Sequence, residues 1–275
     1  MPATSRFKPL LPWRLMCAFS ALAMSAAVAS AATAAHNPGS VSRAANDKSL
    51  QTALQDYQES NYPVALKEFK AEAVKGNRIA QYDYAMMLLN GEGTEPNLPD
   101  ALTWLKKAAE AGMPRAQFIY ARIYDDGQLV DPDPKFAHGW LVKAARQGDT
   151  DALVALATQY MDGRGVPQNY GKAFGWYLKA AKKGDQASEY IVASFYEKGG
   201  DGVKVDLTSA RLWYALAAAQ GDPAAAAKYA EVSERQRKAH PGKPDPSASK
   251  SAPQSPTAPP APDITQPAPP PATTL

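Results

Sequence analysis

Residues 161 to 185 read MDGRGVPQNYGKAFGWYLKAAKKGD. The Gly163-Arg164-Gly165 triplet, followed by Lys172, Trp176 and Tyr177, has the outline of a phosphate loop opening a binding helix. The chemistry of phosphate binding is missing: no Lys-Ser/Thr follows the last glycine, and a dinucleotide loop needs a third glycine after a strand. Self-similarity decides the reading instead. Trp104, Trp140 and Trp176 are spaced by 36 residues and Trp213 follows by 37, so every tryptophan beyond Trp13 falls in one column. The same step carries Ala101, Ala137, Ala173 and Ala210, the pairs Ala108-Ala109, Ala144-Ala145, Ala180-Ala181 and Ala217-Ala218, and Gly112, Gly148, Gly184 and Gly221. The one extra residue ahead of Trp213 lies in a loop, where Gly163 to Val166 corresponds to Gly199 to Val203.

Within one unit, residues 152–163 and 169–185 each place apolar side chains at helical spacing, with Tyr170, Ala173, Phe174, Tyr177 and Ala181 on one face of the second segment. Gly184 stands where a helix ends in a left-handed residue, and Asp185 starts the next unit. Each unit is therefore predicted to be a helical hairpin, its glycine loop turning the chain between antiparallel helices. Trp176 is expected in the core, where burying ~150–250 Å² gains roughly 5 kcal/mol gross. The paired alanines let neighbouring helices approach, and a leucine there would overpack by about 1–3 kcal/mol.

The pattern A…YxxGxGVPQxYxKAxxWYxKAAxxGD, nearly complete from Ala152 to Asp185, resembles the Sel1-like repeat, a relative of the tetratricopeptide repeat. Similar units cover residues 78 to 222, with Leu129 in place of a loop glycine and Leu88 in place of a Tyr. Upstream, residues 48–77 keep second-helix features (Ala65, Phe69, Ala73, Gly76), and Tyr57 with Asn61-Tyr62-Pro63 forms a shorter turn of tetratricopeptide type. Downstream, Ala225 and Ala230 continue the first-helix columns to about Lys238, where a polar run fits a capping helix. The resemblance implies an all-α, right-handed α-solenoid of antiparallel helix pairs, about five units over residues 48–238, that acts as a non-catalytic protein-binding scaffold.

The chain ends differ from the repeats. Arg6, Lys8 and Arg14 precede a small apolar run at 15–29, and Ala29-Ser30-Ala31 or Ala32-Thr33-Ala34 supplies a cleavage pattern, so residues 1–35 read as a secretory signal peptide. Residues 36–47 read as a linker. Twelve of the 24 prolines fall between Pro241 and Pro271, and residues 239–275 read as a disordered Pro/Ala-rich tail. These features predict a periplasmic or secreted protein of the bacterial cell envelope. Removal of 1–35 takes away Cys17, the only cysteine, and leaves 27 basic against 27 acidic residues. A neutral chain without thiols argues against nucleic acid or an anionic membrane as partner and excludes thiolate metal sites. No integral membrane segment is expected in the mature chain.

Catalytic, metal and cofactor residues are not expected. His36, His138 and His240 lie far apart without paired metal spacing. Asp125, Asp126, Asp131 and Asp133 crowd one loop but do not follow EF-hand order, and a solvated loop is the simpler reading. Because some cysteine-rich relatives of this family are linked to penicillin binding, a cell-wall or penicillin-interacting enzyme is one alternative; Ser247 to Lys250 is the one Ser-x-x-Lys outside the signal, and it lies in the tail. A glycan- or peptidoglycan-binding module is another. The favoured reading is a concave face formed by the first helices, where a protein or peptide ligand meets Tyr82, Phe118, Val154 and Tyr190, with Met86, Arg122, Thr158 and Ser194 beside them. The competing reading packs these rings against the neighbouring helices.

Overall fold

In the computed structural model, the structure describes residues 38–239, with side chains from residue 48 onward. The predicted signal peptide, the tail with its Ser247–Lys250 pair, His36 and His240 lie outside the described residues. The chain divides into two compact units, Met1–Ala44 and Ala45–Leu275. The described residues of the first are helical from Pro38, within the stretch read as linker.

The second unit is built of helices alone among the described residues, apart from a single bridge between Gly200 and Val203. In chain order they are α1 (Pro38–Gln58), α2 (Tyr62–Val74), α3 (Arg78–Asn90), α4 (Leu98–Glu110), α5 (Pro114–Asp126), α6 (Pro134–Arg146), α7 (Thr150–Asp162), α8 (Tyr170–Ala181), α9 (Gln186–Lys198), α10 (Leu207–Ala219) and α11 (Pro223–Ala239). The hairpins are α3/α4, α5/α6, α7/α8 and α9/α10, and each second helix packs on the first helix of the following unit. The result is the expected all-α solenoid. The loop insertion stays outside the helices: it is taken up between α9 and α10, with the Gly200–Val203 bridge and Asp201 at φ +49°.

Sequence sets the helix ends. Asn97, Asp133, Asn169 and Asp206 each accept a backbone N–H bond at the start of a second helix, and Asn77, Asp149 and Asp185 do so for first helices. Such a cap contributes about 1 kcal/mol. The unit boundary glycines have the predicted left-handed backbone, Gly184 at φ +86°.

Four apolar clusters run along the solenoid, lined by the alanine columns. Tryptophan joins them. Trp104 packs on the cluster of α1–α4 and on the next one, Trp140 on the second and third, and Trp176 on the third and fourth. Only Trp213 is fully interior, at 1% exposure beneath a cluster that includes Val232 of α11. The expectation that Trp176 is a core side chain is thus corrected. It is half-buried at a seam between units, and the Lys179 ammonium lies 3.9 Å from its ring centroid. Lys107 over Trp104 at 3.9 Å and Lys143 over Trp140 at 3.8 Å repeat the arrangement, because a lysine three residues on lies over the same helix face. Tyr170, read as part of the buried face of α8, is exposed instead.

Candidate partner-binding strip

The eight residues of the predicted strip lie on α3, α5, α7 and α9 at the 36-residue step. Seven of them are half-buried, and Phe118 is buried at 4% exposure. Phe118 is therefore not a surface ring. The Arg115 and Arg122 guanidinium carbons stand 5.1 and 5.7 Å from its centroid, so two arginines lie over this ring. Both already have carboxylate partners: Arg115 pairs with Asp151 of the following unit, and Arg122 with Asp126 at 2.8 Å.

The other rings share their surface with neighbours. Tyr82 packs on the cluster that includes Leu105 and Tyr120, while Tyr190 meets Tyr214 edge-on at 5.2 Å. Val154 bridges the third and fourth clusters. Thr158 donates to the Val154 carbonyl at 3.0 Å and meets the Tyr177 hydroxyl at 2.9 Å. The two readings of this column thus merge. One side of each ring is packed on a neighbouring helix, and half-exposed polar side chains stand one turn away at Arg122, Thr158 and Ser194.

Asp83, one residue after Tyr82, adds an electrostatic feature that the sequence reading passed over. Burial pushes its carboxyl up to about 7.

The loop of the opening motif clasps two units. Arg164 pairs with Asp125 at the end of α5, and Asp125 also accepts from Gln159 Nε2 at 2.8 Å. Gln159 is fully buried, accepts from His138 Nδ1 at 2.9 Å and donates to the Pro134 carbonyl at 3.3 Å. Gly165 rests on the start of α6, where an added Cβ would stand 2.6 Å from the Pro134 carbonyl carbon. The reading of the aspartates as a solvated loop is corrected for Asp125 by these contacts, while Asp126, Asp131 and Asp133 are exposed. Asp125 is buried under Arg164, Asp126 holds Arg122, and Asp133 caps Phe136 N. Burial still raises the Asp125 carboxyl, because it outweighs the Gln159 bond and the Arg164 charge. Among the described residues no group of three or more His, Cys, Asp or Glu could hold a metal, and no helix is long and apolar enough to cross a membrane. Gln159 replaces Met87 and Ile123 in its column, and that polar outlier in an apolar position was the available signal for the clasp.

A sequence model of the Sel1 repeat matches residues 78–113, 114–149, 150–185 and 186–222. A Sel1 repeat protein from Oxalobacter formigenes, of known crystal structure, is 30% identical with a TM-score of 0.62, over 66% of this chain and 74% of that one. The c5321 protein, a protective antigen present in uropathogenic Escherichia coli strains, is 24% identical with a TM-score of 0.47, over 69% of this chain and 49% of its own. No curated protein sequence matches the chain. Four consecutive repeats account for more than half of the residues, and the chain belongs to the Sel1 repeat family, whose members generally serve as protein-interaction scaffolds.

Proposed function

We propose that the protein is an exported, non-catalytic scaffold of a bacterial cell envelope that holds a protein or peptide partner along the first helices. The observation that carries this reading is the strip itself. Three of the four units place a half-buried aromatic or aliphatic side chain at the first position, Tyr82, Val154 and Tyr190, and one turn on stand Met86, Thr158 and Ser194, two of them polar. Such a column offers a partner both apolar area and hydrogen-bonding groups on rigid helices. The apparent chemical residues at the junction of residues 114–149 and 150–185 support a structural assignment, since Asp125 and His138 both bond Gln159. Export is supported by the basic, apolar and small-residue order of residues 1–35.

The test is fractionation of the native host followed by crosslinking in intact cells. The reading expects the processed protein in the envelope or medium, joined to one discrete protein. Retention in the cytoplasm, or covalent labelling of the purified protein by a β-lactam, overturns it.

A further inference from the structure

The repeats segregate charge in a way that a neutral total conceals. Residues 134–148, which hold α6 and its end, contain Lys135, Lys143 and Arg146 and no acidic side chain. Residues 170–184, which hold α8, contain Lys172, Lys179, Lys182 and Lys183 and again no acid. All seven basic residues are exposed, and none pairs with a carboxylate among the described residues. Lys106 of α4 differs, because it has Glu110 at 3.7 Å on the same helix.

The two basic rows are neighbours. Trp176 of α8 packs on the cluster that contains Leu141 and Ala145 of α6, and Lys183 Nζ lies 3.3 Å from where a β-carbon on Gly148 would stand. At 1.5 Å rise per residue each row is about 17 Å long. Lys143, Arg146, Lys179, Lys182 and Lys183 also complement the helix C-termini, which explains five of the charges but leaves Lys135 and Lys172, in the first turns, without that role.

We propose that the exposed faces of α6 and α8 form a second interaction surface, separate from the first-helix strip, that binds an acidic segment of a partner protein. The aromatic geometry favours a peptide over a lipid bilayer. A surface that adsorbs to a bilayer sends tryptophan past its lysines into the interface. Here Trp140 and Trp176 lie beneath Lys143 and Lys179, at 3.8 and 3.9 Å, so only ammonium groups lead. An extended acidic chain can place carboxylates against both rows at once.

The test uses the full chain with a fluorescent glutamate-rich peptide of about a dozen residues at low ionic strength, its glutamine counterpart, and phosphatidylcholine vesicles containing about 30% phosphatidylglycerol. The acidic peptide is expected to bind, the glutamine peptide and the vesicles not. The triple variant Lys143→Glu, Lys179→Glu, Lys182→Glu, with circular dichroism unchanged, is expected to weaken peptide binding about tenfold or more. Arg122→Ala on the strip is expected to leave it unaltered. Absence of peptide binding, equal binding by the triple variant, or binding to the vesicles in place of the peptide overturns the proposal.

Discussion

Arg164, in the loop of one repeat, forms an ion pair with the buried carboxylate of Asp125 in the repeat before it. The pair joins two units that also meet through the Gln159 hydrogen bonds, the Arg115–Asp151 pair and apolar contact. It also explains why an arginine sits between the two glycines: the turn delivers its side chain backwards along the solenoid. Arg164→Ala leaves Asp125 buried with only Gln159 as donor, which should cost about 1–3 kcal/mol. A double-mutant cycle with Asp125→Asn measures the coupling, and additivity of the two losses would show that the pair carries no energy.

The glycines of the motif should divide into two classes. Gly165 has φ +73° and lies against backbone, whereas Gly184 has φ +86° with nothing within 4 Å of an added Cβ. Gly184→Ala should cost about 1–2 kcal/mol for the left-handed backbone alone. Gly165→Ala should cost more, since Pro134 must also move. Thermal unfolding of the two variants checks the order.

Much of this architecture was legible because a repeat multiplies its signal. The columns of Ala137, Trp140, Ala144 and Gly148 recur in each unit, and the structure places them where hairpin packing requires. What was not legible lies where one unit departs from its neighbours. Gln159 in an apolar column, and Arg164 reaching Asp125, are contacts between units at separations of 34 and 39 residues that periodicity does not encode. The half-exposure of Trp176 also escaped the sequence, because a column of large rings marks either a core or a seam. Only the cover over Trp213 by α11 makes one of them fully interior. On the candidate site, spacing found the first-helix face, but the packing of Phe118 beneath two arginines depended on side chains from other turns.

The terminal helix should be the element that Glu197 holds. Its buried carboxylate accepts from Tyr214 OH at 2.8 Å and from Arg235 at 2.8 Å, with Lys228 at 3.4 Å. Burial raises its pKa, but these partners outweigh that and hold it below the usual range. A lowered folded-state pKa contributes stability above the unfolded value and loses it as pH falls through the folded one. Glu197→Gln should therefore release α11 at neutral pH, seen as faster amide exchange over residues 223–239 than over α7, and should reduce the acid sensitivity of that helix. Unchanged exchange in α11 would contradict the clamp.

Asp83 should act in the opposite sense. Its pKa is raised to about 7 by burial, so between the unfolded value near ~4 and about 7 the folded state holds the extra proton. The protonated form adds relative stability at low pH, which is lost as pH rises through about 7. Asp83→Asn should raise Tm by a few degrees at pH ~8 and change it little at pH ~4. An equal shift at both pH values would show that the carboxyl is not desolvated.

The account rests on the first-helix face as the place of partner contact, and site-directed photocrosslinking in intact cells tests that most directly. Photoreactive residues are placed singly at Met86, Thr158 and Ser194 on the strip and at Thr103 and Glu110 on α4, which are exposed on a second helix. The account predicts that the three strip positions capture the same discrete protein and the two α4 positions do not. Capture at Thr103 and Glu110 with none at the strip would contradict it and assign partner contact to the opposite face of the repeats.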